Sequence, residues 1–114
     1  MVAFAVGGVV LVPFPFSDLT QTKLRPALVL ATAGRDDWIL CQITSISYGD
    51  AKAIELRDVH LQSGSLRVKS FVRPTKLFTA HHSLIVAQVG VLHPEPFNRI
   101  IDAVVEIFRT SPAP

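Results

Sequence analysis

The residues of this 114-residue chain best suited to chemistry are two arginines that each precede a proline, Arg25 and Arg73. A guanidinium group stays protonated at neutral pH and binds phosphate through a planar fork of N–H donors. Pro26 biases Arg25 toward an extended backbone, at the point where a polar loop enters an apolar segment. An arginine in this position is well placed to hold a phosphate group.

Other kinds of site have no support in the sequence. The four histidines and the single cysteine, Cys41, do not show the spacing of metal ligands. The sequence has neither a glycine-rich phosphate loop before a helix nor a Gly-x-Ser-x-Gly nucleophile motif. We therefore expect no metal and no cofactor.

The segment around Arg25 predicts strand, loop and strand. Residues 9–12 are continuously apolar and β-branched, and Pro13 and Pro15 are expected to end this first strand because proline cannot donate to a ladder. Residues 17–23 are polar and predict a loop. Residues 26–31 are apolar again and predict a second strand with Pro26 at its first position.

The remaining elements follow from periodicity. Strands are predicted at 38–46, 53–57 and 70–73, with a turn at 62–65, a stop at Pro74, and a helical turn plus a short strand within 78–89. From residue 97 the apolar period changes to that of a helix. Its apolar face comprises Phe97, Ile100, Ile101, Val104, Val105 and Phe108. Several short strands closed by one helix predict a small, mainly β barrel.

Composition limits the class of protein. The length predicts a single domain over 1–114, with residues 110–114 frayed. A net charge of +2 permits a nucleic-acid ligand but does not argue for one. The lone cysteine fits a reducing cytoplasm, and the apolar N-terminus is too short for a signal peptide or a membrane span. We expect a cytoplasmic protein that does not contact a membrane.

Several motifs in order carry a family resemblance. Residues 8–19 read GVVLVPFPFSDL and residues 23–30 read KLRPALVL; CQITSI at 41–46 and SGSLRVKSFVRPTKLFT at 63–79 follow. The pattern resembles the MazF/PemK-like toxins of bacterial toxin–antitoxin pairs over roughly residues 7–108. The resemblance implies a mainly β (α+β) fold, an SH3-like barrel with a C-terminal helix.

The resemblance also implies a function. It predicts the toxin of a type II pair, a sequence-selective, metal-independent endoribonuclease that inhibits growth by cutting single-stranded mRNA into 2′,3′-cyclic phosphate and 5′-hydroxyl ends. Arg25 would stabilise the pentacovalent phosphate, and Thr44 would hydrogen-bond a non-bridging oxygen or the attacking group. Arg73 matches an arginine that, in the PemK branch, supplies the acid and base together with an aspartate. Contacts to RNA are expected from Phe16, Ser17, Lys23, Thr75 and Lys76. The implied partners are the cognate antitoxin, a second copy of the chain and, with the antitoxin, operator DNA.

Two departures from the family pattern keep alternatives open. The PemK branch can carry an aspartate two residues after the arginine, where this chain has Thr75, and many relatives carry an aspartate where it has Gly8. A threonine hydroxyl is not a useful base at neutral pH. These departures keep open a catalytically weakened, dimeric regulator that binds DNA or protein. A gyrase-binding toxin is a further alternative, because the related CcdB branch shares the barrel.

Each candidate residue also has a structural explanation. Arg25 could cover the barrel surface with its aliphatic stem, and Thr44 could be an ordinary strand residue. His81 and His82 could replace the missing acid or base, or be solvated at the end of an element. Phe14, Phe16 and Trp38 could stack on bases or pack at strand ends.

Overall fold

The computed structural model describes residues 4–15, 22–47 and 49–114. In these ranges seven strands are followed by one helix. The strands are β1 (Gly8–Pro15), β2 (Thr22–Thr32), β3 (Asp37–Thr44), β4 (Ile54–Leu56), β5 (Leu61–Gly64), β6 (Ser70–His81) and β7 (Ala87–Leu92). The helix is α1 (Pro94–Thr110), and single 3-10 turns span Asp58–His60 and His82–Leu84. None of the helices in the described ranges has the length and apolarity needed to cross a membrane.

The strands form one antiparallel sheet in the order β4-β6-β3-β2-β1-β7-β5. Sequence neighbours β1, β2 and β3 lie side by side, whereas β6 and β7 extend the sheet on opposite sides. The sheet curls into a half-barrel with the helix at the end of the chain. The predicted fold class, a small mainly β barrel with a C-terminal helix, is confirmed.

Apolar residues cover both faces of the sheet, because side chains alternate along each strand and both alternating sets are apolar. One cluster contains Val9, Leu28, Leu30, Cys41, Ile43, Leu56, Leu61, Val72, Leu92 and Ile100. The other contains Val10, Val12, Ala27, Val29, Leu40, Ala80 and Ile85. The central strands are therefore rigid supports for any side chain that they present at their ends.

The helix packs against the first cluster through only part of its predicted apolar face. Ile100 is buried, and Phe97, Ile101 and Val104 are half-buried against the cluster. Phe108 points in nearly the same direction as Phe97 and Ile101, since residues rotate by about 100° each, yet it is 69% exposed. The last turn of the helix therefore extends beyond the core.

Pro13 and Pro26 do not bound their strands as the sequence predicts. β1 continues through Pro13, and β2 begins before Pro26. β1 pairs with β7 only as far as Leu11. Among the described residues, the later part of β1 therefore has no partner strand on that edge, where a missing N–H costs little. Residues 61–64 form β5 rather than a turn.

Pro74 also fails to end its strand, for a different reason. β6 pairs with β3 through Arg73, opposite Gln42, and again through Leu77, opposite Cys41. Three residues of β6 therefore bulge out between two adjacent residues of β3. The bulge absorbs the proline, and pairing resumes after it.

Candidate active site

Three of the predicted site residues lie on one face of the sheet. Ala27 of β2 pairs with Gln42 of β3, and Gln42 pairs with Arg73 of β6. The β2–β3 pairs end at Ala27 and Gln42; the same register extended by two residues would set Arg25 opposite Thr44. Because side chains alternate between faces, Arg25, Thr44 and Arg73 share the face that carries Gln42.

The two arginines are spaced to act on one ligand. β2 and β6 flank β3, and neighbouring strands lie about 4.8 Å apart. Because Arg73 is opposite Gln42 and Arg25 is two residues further along, at the level of Thr44, the backbones at the two arginines are separated by about 12 Å. Two guanidinium groups that reach inward from that separation can meet at a single phosphate. Arg25 is half-buried, and it pairs with Val12 of β1.

Thr44 lies between the arginines at the last position of β3. It is only 4% exposed, and its Oγ1 accepts a hydrogen bond from the Ile46 N–H at 3.2 Å. The hydroxyl therefore satisfies a backbone donor where the strand ends, and it keeps one O–H donor of its own. Its contact with a ligand stays a prediction.

The β3–β4 loop adds a carboxylate that the sequence analysis missed. Asp50 Oδ2 lies 3.2 Å from Arg73 Nε, in an ion pair whose side chains are 13% and 16% exposed. Asp50 Oδ1 also accepts the Lys52 N–H at 2.9 Å. The Lys52 hydrogen bond, and then Arg73, hold the pKa of Asp50 below its ordinary value, although partial burial acts in the opposite direction.

Exposed basic and polar side chains adjoin the arginines. Lys23 is two residues from Arg25 on the same face of β2, and it is exposed. The β6 bulge buries Pro74 and exposes Thr75 and Lys76 directly after Arg73. These three residues are accessible to a polyanion, as their predicted RNA contacts require. Phe16 and Ser17, the other predicted RNA contacts, lie outside the described residues.

A further aromatic group, Phe71, was not singled out from the sequence. Phe71 pairs with Thr44 across β3 and β6, so it lies on the same face, and it is half-buried. Lys69 Nζ lies 5.7 Å from the centroid of its ring. Arg25, Thr44 and Phe71 thus place a cation, a hydroxyl and an aromatic ring on adjacent strands.

The other aromatic candidates are used in packing. The Phe14 ring lies 5.0 Å from that of Phe78 in an edge-to-face arrangement, and Trp38 packs against the second cluster. His81 pairs with Asp37, at the opposite end of β3 from Thr44, seven residues or roughly 23 Å away along the strand. The His82 ring contacts Phe4. Neither histidine is brought to the arginines.

Local packing explains why residue 8 is a glycine rather than the aspartate of many relatives. It is buried in β1, where a Cβ would contact the Gln88 amide oxygen and lie 2.8 Å from the Ala5 carbonyl oxygen. Gln88 Oε1 accepts the Ala5 N–H at 3.2 Å. An aspartate at this position would displace that contact, so the glycine suits the way this chain packs its N-terminus.

Metal and thiol chemistry have no assembled site in the part of the chain that the structure describes. No group of three or more histidine, cysteine, aspartate or glutamate side chains converges there. Burial raises the pKa of the Cys41 thiol to about 12, so the thiol stays protonated and is not a nucleophile at neutral pH. The chemistry of the described site is that of arginine, hydroxyl and carboxylate groups.

Similar folds occur in solved toxins. The Mycobacterium tuberculosis toxin MazF-mt6 matches with a TM-score of 0.69 and 18% identity, over 91% of this chain and 98% of that chain. A MazE-MazF structure from Deinococcus radiodurans matches with a TM-score of 0.72 and 19% identity, over 93% and 96%. An endoribonuclease in complex with its cognate antitoxin, from a mycobacterial species, matches with a TM-score of 0.66 and 14% identity, over the whole of both chains. At these identities the matches show the fold alone.

The sequence itself matches a family model over residues 5–108, which is nearly the whole chain. No functionally curated protein sequence matches the chain significantly. The family match covers β1 through most of α1, including Arg25, Thr44 and Arg73. The chain belongs to the PemK-like, MazF-like toxin family of type II toxin–antitoxin systems.

Proposed function

We propose that this protein is a metal-independent, sequence-selective endoribonuclease, the toxin of a type II toxin–antitoxin pair that cuts single-stranded mRNA and inhibits growth. The observation that carries the proposal is the placement of Arg25, Thr44 and Arg73 on one face of three adjacent strands. A mycobacterial protein of the same fold is described as an endoribonuclease, and this supports the proposal.

The proposed reaction uses the RNA's own 2′-hydroxyl as the nucleophile. Its oxygen bonds to the adjacent phosphorus while the bond from phosphorus to the 5′-oxygen breaks. The 2′-hydroxyl proton passes to a base, and the departing 5′-oxygen takes up a proton, leaving a 2′,3′-cyclic phosphate and a 5′-hydroxyl. Arg25 and Arg73 stabilise the extra negative charge of the pentacovalent phosphate, which is the largest contribution such a site makes.

The test is cleavage of a long single-stranded RNA by purified protein, with and without excess EDTA. We expect cleavage at a restricted set of sequences, unchanged by EDTA, because the described residues hold no ligand cluster for a catalytic ion. The new ends should carry 2′,3′-cyclic phosphate and 5′-hydroxyl groups. Loss of cleavage in EDTA would contradict the metal-independent mechanism.

We further propose that the active form is a cytoplasmic homodimer, inhibited by a cognate antitoxin that covers this site, and that the complex binds operator DNA. Solved MazE-MazF structures of the same fold support the proposal that this chain has an antitoxin partner. In solution, addition of the protein encoded beside this gene should stop cleavage at a stoichiometric ratio.

A catalytically weakened regulator of the same fold is the second candidate. Thr75 favours it, because this exposed position of the bulge carries a hydroxyl where the PemK branch can carry an aspartate. Such a protein would bind RNA or antitoxin without cutting RNA. Binding without new RNA ends, at micromolar protein, would support this candidate over the first.

A further inference from the structure

A carboxylate reaches Arg73 from a part of the chain far away in sequence. Asp50 lies 23 residues before Arg73, in the loop between β3 and β4, and the two side chains form a hydrogen-bonded ion pair at 3.2 Å. Both are mostly shielded from water, which strengthens their attraction relative to a surface pair. This contact supplies the acidic neighbour that Thr75 does not.

The loop fixes Asp50 independently of Arg73. Asp50 Oδ1 accepts the Lys52 N–H at 2.9 Å. Its own N–H donates to the Ser47 carbonyl at 2.9 Å, and its carbonyl accepts the Ala53 N–H at 3.1 Å. The backbone thus holds the carboxylate in place, and the carboxylate in turn restrains the long, flexible side chain of Arg73.

We propose that Asp50 is a positioning residue for RNA cleavage: it holds the Arg73 guanidinium in the orientation in which it meets the scissile phosphate. The inference rests on the proposed endoribonuclease function. In this chain the carboxylate that acts with Arg73 would thus come from Asp50 in the β3–β4 loop rather than from position 75 of β6.

Orientation explains Asp50 better than proton transfer does. Its two oxygens already accept from Lys52 N–H and Arg73 Nε. General-base catalysis is most effective when the pKa of the base lies near the working pH, and the contacts of Asp50 lower its pKa away from that range. A small misplacement of a charge-stabilising group can cost up to about 10²-fold in rate. Positioning of the Arg73 guanidinium is therefore sufficient to explain the Asp50–Arg73 ion pair.

The experiment is a double-mutant cycle measured on a short RNA that spans a mapped cleavage site. Asp50→Asn should lower kcat by between about 10-fold and 10²-fold with little change in KM, because the amide keeps one acceptor but loses the charge. Arg73→Gln should lower kcat at least as much. The double variant should be no slower than Arg73→Gln alone, since Asp50 acts only through Arg73.

Asp58→Asn is the matched control. Asp58, the first residue of the 3-10 turn after β4, is also a carboxylate that accepts a backbone N–H, from Leu66 at 3.1 Å, and it lies outside the proposed site. We expect this variant to keep the wild-type kcat. If Asp50→Asn melts below the assay temperature, Asp50→Glu replaces it in the cycle; moving the carboxylate by one methylene should give a similar loss of kcat.

Each outcome decides the question. Wild-type kcat in a folded Asp50 variant would overturn the positioning role while leaving the endoribonuclease intact. Losses that multiply in the double variant would overturn it as well, because Asp50 would then act without Arg73. A changed pH dependence of kcat in Asp50→Asn would make Asp50 the base instead. If the wild-type protein cuts no RNA, the proposed function fails and this inference fails with it.

Discussion

Among single residues, Arg25 has the clearest expected effect. We predict that Arg25→Ala lowers the cleavage rate on the order of 10²-fold or more, because it removes charge aimed at the phosphate. Arg25→Lys should restore only part of the rate, since an ammonium group keeps the charge but loses the planar fork. The measurement is the single-turnover rate on a fixed RNA.

Arg109→Ala is the control for the Arg25 variants. Arg109 is an exposed arginine in the last turn of α1, so its removal lowers the net charge equally but away from the sheet face. It should leave the rate unchanged, and circular dichroism should show all variants folded. An Arg25→Ala protein that is folded and as fast as Arg109→Ala would refute the role given to Arg25.

Some single residues of the site could be predicted from the sequence, and others could not. Arg25 stands in a recognisable local pattern, with a proline after it and a polar loop before it, so its position in the sequence already suggests a functional role. Asp50 has no such mark, because its significance comes from a contact with Arg73 across 23 residues. Phe71 was missed for the same reason, since only the register of β3 and β6 sets it opposite Thr44. Contacts between distant segments are set by pairing, which no local pattern encodes.

At the level of elements, α1 could be predicted well because its apolar period is strong, whereas the strand ends could not. Proline is a reliable stop only where its missing N–H would face a partner strand. Pro13 lies where β1 has lost its partner on one side, and Pro74 lies in a bulge, so both are tolerated. Predicting either requires knowing which strands are neighbours.

The helix offers a matched pair of substitutions. Val104 is half-buried against the first cluster, and Val105, the next residue, is 43% exposed. Val104→Asp should lower the free energy of unfolding by about 2–4 kcal/mol, because it places a charge against apolar side chains. Val105→Asp should cost less than about 1 kcal/mol.

Urea denaturation followed by circular dichroism measures both. The two variants share residue type, helix and distance from the helix end, so propensity and helix-dipole effects are nearly the same in both. Equal losses of stability would mean that the helix does not dock on the sheet through Val104.

At the level of the whole molecule, the apolar content of the chain leads us to expect a second copy as a partner. Hydrophobic residues make up 49% of the sequence. Several large ones are exposed in the described ranges, including Val59, Val68 and Phe108. A stable interface buries about 800 Å² on each partner, roughly a ninth of the 7193 Å² accessible surface of this chain. A two-fold homodimer would cover a surface of that size on each chain and could bury some of these exposed apolar side chains.

We therefore expect light scattering after size exclusion to give twice the chain mass of 12.4 kDa at micromolar concentration. The mass should stay constant over a dilution series down to the concentrations used for cleavage. Arg25→Ala should give the same mass as the wild type, because Arg25 is assigned to the phosphate rather than to assembly; this separates lost chemistry from lost association. A mass of 12.4 kDa throughout the series would rule out the dimer, and each chain would then have to bind and cut RNA with its own three strands alone.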